Sequence, residues 1–205
     1  MTEKNLKIAL LGDGSTGKTS YFNMIKDYNN PKYKFNKKYV ATSEFNLNTF
    51  LLNTSKGKIN IDFWDTAGQE RYGGKLRNAY IYGTDGIIIF YDITNRKTLD
   101  NIKFWLDSVQ KICGNIPVIV LGNKLDKKDK IPNLQEVKLR HSVLKNMYGS
   151  SNIRNILFSV KENSYLQESS WWGSPKIIAD GMFYPFEEII SMIIKKTVNH
   201  LEIID

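Results

Sequence analysis

The chain has 205 residues, 41% of them hydrophobic and 24% charged, with a formal net charge of +8. That length suits one domain with one substantial core, and no apolar run approaches the roughly 18 residues of a membrane-spanning helix. The lone cysteine, Cys113, excludes an internal disulfide and a cysteine-rich metal centre.

Residues 1–5 lead directly into a strand-like run rather than a signal-peptide apolar region, so an intracellular protein, in the cytoplasm and/or nucleus, is expected. Residues 6–11 are a short apolar run closed by glycine, and 21–28 carry apolar residues at helical spacing: strand, loop, helix. Residues 49–53 and 59–64 flank a Gly-containing turn at 54–57 and read as an antiparallel hairpin. Residues 86–91 and 117–122 are continuous β-branched or aromatic runs, the pattern of central strands buried on both faces of a parallel sheet. An amphipathic helix is expected over 99–112 and further helices over 134–147 and 186–201, with a last strand at 156–158. The fold class is therefore α/β: a single doubly wound, mostly parallel six-stranded sheet with helices on both faces. One domain spans 1–205, with an insertion at 166–184 that shows no clear period. Ligands of such sheets bind at the carboxyl ends of the strands.

The charge lies on dispersed lysines such as Lys32, Lys34, Lys37, Lys38, Lys127, Lys128 and Lys130. They read as a solvated surface, and no nucleic-acid-reading motif accompanies them, so no direct nucleic-acid partner is expected.

Gly12-Asp13-Gly14-Ser15-Thr16-Gly17-Lys18-Thr19, followed by Ser20, fits G-x-x-x-x-G-K-[ST] between a strand and a helix. In such a phosphate loop successive backbone N–H groups converge on phosphates at a helix N-terminus, Lys18 reaches the β/γ oxygens and the Thr19 hydroxyl can ligate Mg²⁺. The pattern does not separate ATP from GTP. Asn123-Lys124-Leu125-Asp126, at the end of a strand, does. A carboxylate at Asp126 can accept paired hydrogen bonds from guanine N1–H and its 2-amino group, which adenine cannot offer. At the end of the third strand, Asp65 suits an outer-sphere magnesium role, Gly68 can present its N–H to a γ-phosphate and Gln69 can orient an attacking water.

Together these motifs resemble the Ras superfamily of small GTPases, over residues 6–161 and the final helix. The resemblance implies that Thr42 is the threonine that ligates Mg²⁺ only with GTP bound, that Tyr39 covers the nucleotide and that Phe35 packs against the base. Ser159-Val160-Lys161 resembles the last base-contacting loop, with the Val160 N–H facing guanine O6. Lys37-Lys38-Tyr39-Val40-Ala41-Thr42 and residues 69–74 resemble Ran proteins, whereas Tyr91-Asp92-Ile93-Thr94-Asn95 followed by Phe104-Trp105-Leu106 resembles Rab proteins. The Ran-like reading is preferred.

The chain departs from the family in its long 19–42 stretch, in Ser43-Glu44 and in the 166–184 insertion, whose Trp171-Trp172 pair reads as local packing, with a docking surface as the alternative. Residues 200–205 contain no cysteine, so no lipid anchor on this chain is expected. The implied function is a monomeric GTP/GDP switch, with slow hydrolysis carried by Gln69, Lys18 and the space beside Gly14, regulating nucleocytoplasmic or vesicle transport. Its cofactor would be Mg²⁺, and its partners an exchange factor, a GTPase-activating protein and effectors. A non-hydrolysing guanine-nucleotide scaffold is the alternative; a P-loop kinase or ATPase would have no need of Asp126.

Overall fold

The structure is a computed structural model and describes residues 4–29, 34–35, 42, 45–54, 57–66, 74–130, 134–149, 152–167 and 176–201. Among these, the strands are β1 (Lys4–Gly12), β2 (Phe45–Thr54), β3 (Gly57–Thr66), β4 (Gly86–Asp92), β5 (Val118–Asn123), β6 (Ile153–Ser159), β7 (Ser164–Gln167) and β8 (Lys176–Ala179). The helices are α1 (Lys18–Lys26), α2 (Gly74–Ile81), α3 (Arg96–Asp100), α4 (Ile102–Cys113), α5 (Leu134–Tyr148) and α6 (Tyr184–Leu201), with a 3-10 turn at Leu125–Lys130. The sheet order is β2-β3-β1-β4-β5-β6-β7-β8. Parallel pairing holds from β3 through β6, while β2 pairs antiparallel with β3.

Every residue of β4 and β5 is buried, because their side chains alternate between two apolar layers. Ile88, Phe90, Ile119 and Leu121 face a core under α1 and α6 that holds Tyr21, Phe22, Phe63 and Phe186. Ile87, Ile89, Val118 and Val120 point the other way, toward Trp105, Leu106, Val109 and Leu144 of α4 and α5. A period of two along each strand thus serves both faces at once. Tyr21 anchors the first layer by packing edge-on against Phe63 and Phe158, with ring centroids 6.3 and 5.8 Å away.

The doubly wound α/β class is as expected, but the sheet has eight strands among the described residues rather than six. The two extra strands come from the 164–179 region: β7 pairs antiparallel with β6 through Phe158 opposite Tyr165 and Ser159 opposite Ser164, and β8 pairs with β7. Neither Ser-Tyr-Leu-Gln nor Lys-Ile-Ile-Ala alternates apolar with polar residues, so the sequence pattern does not mark them as strands. The Trp171-Trp172 pair lies outside the described residues. The helix expected over 99–112 is interrupted at Asn101, whose backbone stays helical (φ −74°, ψ −9°), so the apolar spacing runs on across the break. The expected 21–28 helix begins earlier, at Lys18, directly after the glycine loop.

Candidate functional site

The carboxyl ends of β1, β3, β5 and β6 deliver, in order, the phosphate loop, Asp65, Asn123 and Ser159 to one edge of the sheet. Two glycines make the loop possible. Gly12 has φ +128°, and a Cβ there would lie 2.1 Å from the Phe90 carbonyl oxygen; Gly17 has φ +104°, and a Cβ there would lie 2.1 Å from Asn123 Nδ2. Both positions exclude a side chain by conformation and by space. Ser15 also takes a left-handed backbone, at φ +62°, while Gly14 is half-buried and Thr16 buried. Ser20 follows in the first turn of α1.

Lys18 is 4% exposed, and its ammonium donates to the carbonyl oxygens of Gly12 (2.7 Å) and Asp13 (2.8 Å). The Thr16 hydroxyl donates to the same Asp13 carbonyl, at 2.8 Å. The loop is thereby folded around its own cation at the position where phosphate oxygens would be bound. The Asp13 side chain points elsewhere: it accepts from Asn101 Nδ2 at 2.7 Å and from Trp105 Nε1 at 2.9 Å.

Three oxygen groups from separate segments meet beside Lys18. The hydroxyls of Thr19 and Thr42 share a hydrogen bond of 2.7 Å. Asp65, wholly buried, accepts from Asn46 Nδ2 at 3.0 Å through Oδ2, while its Oδ1 has no hydrogen-bond partner among the described residues. Burial pushes the Asp65 carboxyl above the usual carboxylate range, against the downward pull of the Thr19 hydroxyl, Asn46 and the Lys18 ammonium. A buried carboxylate with an unpaired oxygen, set beside two hydroxyls, is an all-oxygen donor set that fits a hard divalent cation such as Mg²⁺. Asn46, which pairs across the strands with Asp65, is a member of this site that carries no motif in the sequence.

At the carboxyl end of β5, Asn123 is a strut. Its Nδ2 donates to the Thr16 carbonyl at 2.9 Å, and its Oδ1 accepts from the Val160 N–H at 3.1 Å. The Val160 amide, expected to face guanine O6, here donates to Asn123 Oδ1, a bond that satisfies a buried N–H. Asp126 Oδ1 accepts from Ser159 Oγ at 2.8 Å, its Oδ2 lies 3.5 Å from Lys161 Nζ, and Ser159 Oγ also accepts from the Glu162 N–H. These contacts aim the carboxylate from below. Lys124, with φ +71°, pairs with Asp92 Oδ2 at 2.6 Å. Asp92 is held below the ordinary carboxylate range despite its burial, by bonds from Lys124 and Thr94. Asp92, Asn101 and Trp105 support the site without belonging to its motifs; only the Asp92 and Trp105 segments stood out in the sequence, as family likenesses.

Phe35 packs against the core layer under α1. Tyr39, Gly68 and Gln69 lie outside the described residues. When the chain is compared with known protein families, residues 7–173 match the Ras family.

Proposed function

Because the chain belongs to the Ras family of small GTPases, we propose that it binds GTP and GDP with Mg²⁺, slowly hydrolyses GTP to GDP and phosphate, and regulates intracellular transport, nucleocytoplasmic or vesicular. The observation that carries this reading is the hydrogen-bonded pair of Thr19 and Thr42 hydroxyls beside Asp65, whose buried Oδ1 has no hydrogen-bond partner among the described residues. The phosphate-loop amides receive the phosphates, and Lys18, already held at the loop by Gly12 and Asp13, lends its charge to the β/γ oxygens. Thr19, Thr42 and Asp65 would hold Mg²⁺, which when bound neutralises charge on the phosphate oxygens. Asp126, aimed by Ser159, accepts from the guanine edge, and Ser159-Val160-Lys161 closes over the base. Gln69 orients the attacking water in the space beside Gly14. A partner supplies the arginine that accelerates hydrolysis by about 10³ to 10⁵. Exchange factor, activating protein and effectors complete the cycle of a monomeric switch in the cytoplasm or nucleus.

The test loads the purified chain with fluorescent GDP, GTP and ATP, with and without a magnesium chelator, and follows phosphate release in a single turnover. Guanine nucleotides should bind orders of magnitude more tightly than ATP, chelation should speed their release, and phosphate should appear slowly. Equal affinity for ATP and GTP would sink the base assignment. Tight GTP binding with no phosphate release would favour the scaffold instead.

A further inference from the structure

Asp13 occupies the second position of the phosphate loop, yet its carboxylate is committed to a helix on the far side of that loop. It is 7% exposed; Oδ1 accepts from Trp105 Nε1 (2.9 Å) and Oδ2 from Asn101 Nδ2 (2.7 Å). Its backbone carbonyl accepts from Lys18 Nζ and Thr16 Oγ1, both at 2.8 Å. A single residue therefore links α4 to the cation of the loop: the side chain is gripped from one side and the carbonyl orients the ammonium on the other. Asn101 sits at the break between α3 and α4 and leaves that helix end without a side-chain cap, so its amide serves the loop instead. Trp105 is 3% exposed with its ring in the core layer of α4, which makes its N–H a rigid donor. The buried Trp105 indole N–H and the half-buried Asn101 amide, both aimed at a buried carboxylate, make charge-assisted bonds of the stronger kind.

We infer that Asn101 and Trp105 are positioning residues that preform the phosphate loop by holding Asp13, an inference that rests on the nucleotide-switch reading above. A loop already in its bound geometry need not be ordered when nucleotide arrives, and the saving appears as affinity, mainly through slower release. Freeing about one residue of backbone corresponds to roughly tenfold in affinity.

The experiment measures release of fluorescent GDP from wild type, Trp105→Phe, Asp13→Ala, Asp13→Asn and the double variant Asp13→Ala/Trp105→Phe, alongside thermal unfolding of each. Trp105→Phe keeps an aromatic ring in the core and removes the indole donor. Asp13→Asn keeps the clamp: its carboxamide oxygen accepts from Trp105, and its amide donates to Asn101 once the Asn101 amide flips. Release should accelerate about tenfold in Trp105→Phe and Asp13→Ala, stay within about threefold of wild type in Asp13→Asn, and be no faster in the double variant than in Asp13→Ala. Release unchanged in both single variants, with only the unfolding temperature lowered, would reduce the contact to core packing and overturn the inference. An Asp13→Asn defect equal to that of Asp13→Ala would overturn it in favour of the charge, and additive effects in the double variant would show that the two residues act separately. Should Asp13→Ala not fold, Trp105→Phe and Asn101→Ala carry the same comparison. A wild-type chain that takes up no labelled GDP would overturn the switch reading itself, so the two failures are told apart by that control.

Discussion

Replacing Asn123 by alanine removes the strut between the phosphate loop and the loop that follows β6. Its two bonds end on buried groups, the carbonyl of Thr16 and the N–H of Val160, and Asn123 is itself 4% exposed. An orphaned buried donor or acceptor costs about 1–3 kcal/mol, so Asn123→Ala should cost roughly 2–6 kcal/mol, a large share of the ~5–15 kcal/mol that holds a typical domain. In urea, where slopes are about 1–3 kcal/mol per molar, the midpoint followed by far-UV circular dichroism should fall by about 1 M or more, and GDP release should accelerate in parallel. Asn123→Asp provides the internal control. It keeps the acceptor for Val160 but sets an oxygen against the Thr16 carbonyl, so burial should raise its carboxyl, and only the protonated form can donate to Thr16. A raised folded-state pKa contributes stability at low pH that is lost as pH rises; the deficit of Asn123→Asp relative to wild type should therefore shrink on acidification. A midpoint for Asn123→Ala within about 0.2 M of wild type, with an unchanged slope, would refute the strut.

His141 is buried, receives or donates a 2.8 Å hydrogen bond at Nε2 with the Tyr91 hydroxyl, and has its pKa lowered by burial to about 4 from 6.5. The unfolded chain therefore binds the proton first, and stability should fall by about 3 kcal/mol as pH drops from 6.5 to 4; His141→Gln should lack that part of the slope, and parallel losses in urea midpoints across the window would disprove it. Asp126→Asn keeps an acceptor for Ser159 while presenting an amide donor to the base, so preference in competition binding should shift from guanine toward xanthine nucleotides, whose 2-oxo group accepts; retained guanine preference would remove Asp126 from base reading. Gln69→Leu should leave GTP affinity near wild type and lower both intrinsic and extract-stimulated phosphate release in single-turnover assays, and unchanged hydrolysis would point to the scaffold reading.

What could be read from the sequence was whatever repeats along the chain or clusters within a few residues. The buried runs of β4 and β5 announce strands shielded on both faces, and Gly12 to Thr19 and Asn123 to Asp126 are contiguous, so their chemistry is visible before their geometry. Contacts made by folding are different. Asp13 meets Asn101 and Trp105 across 88 and 92 residues, and Asn46 reaches Asp65 only through strand register; no local pattern records such pairings. The expectation that the Val160 amide faces the base rests on family likeness, whereas its bond to Asn123 joins residues 37 apart in the chain. β7 (Ser-Tyr-Leu-Gln) and β8 (Lys-Ile-Ile-Ala) do not alternate apolar and polar residues, so neither carries the strand pattern.

The antiparallel return of β7 along β6 has a mechanical consequence for the loop between them. With Ser159 opposite Ser164, residues 160–163 form the tip of a hairpin, anchored at both feet, instead of a segment leading slackly to α6. A four-residue tip closed this way has little chain entropy to gain by fraying, and it should open only when the Phe158–Tyr165 pairing unzips. Since β8 pairs with β7 from the outside, the opening of the 160–163 tip should be coupled to the far margin of the sheet. Hydrogen exchange at the Val160 amide should then keep pace with that at Tyr165, and exchange at Val160 that outruns Tyr165 would show the tip moving on its own.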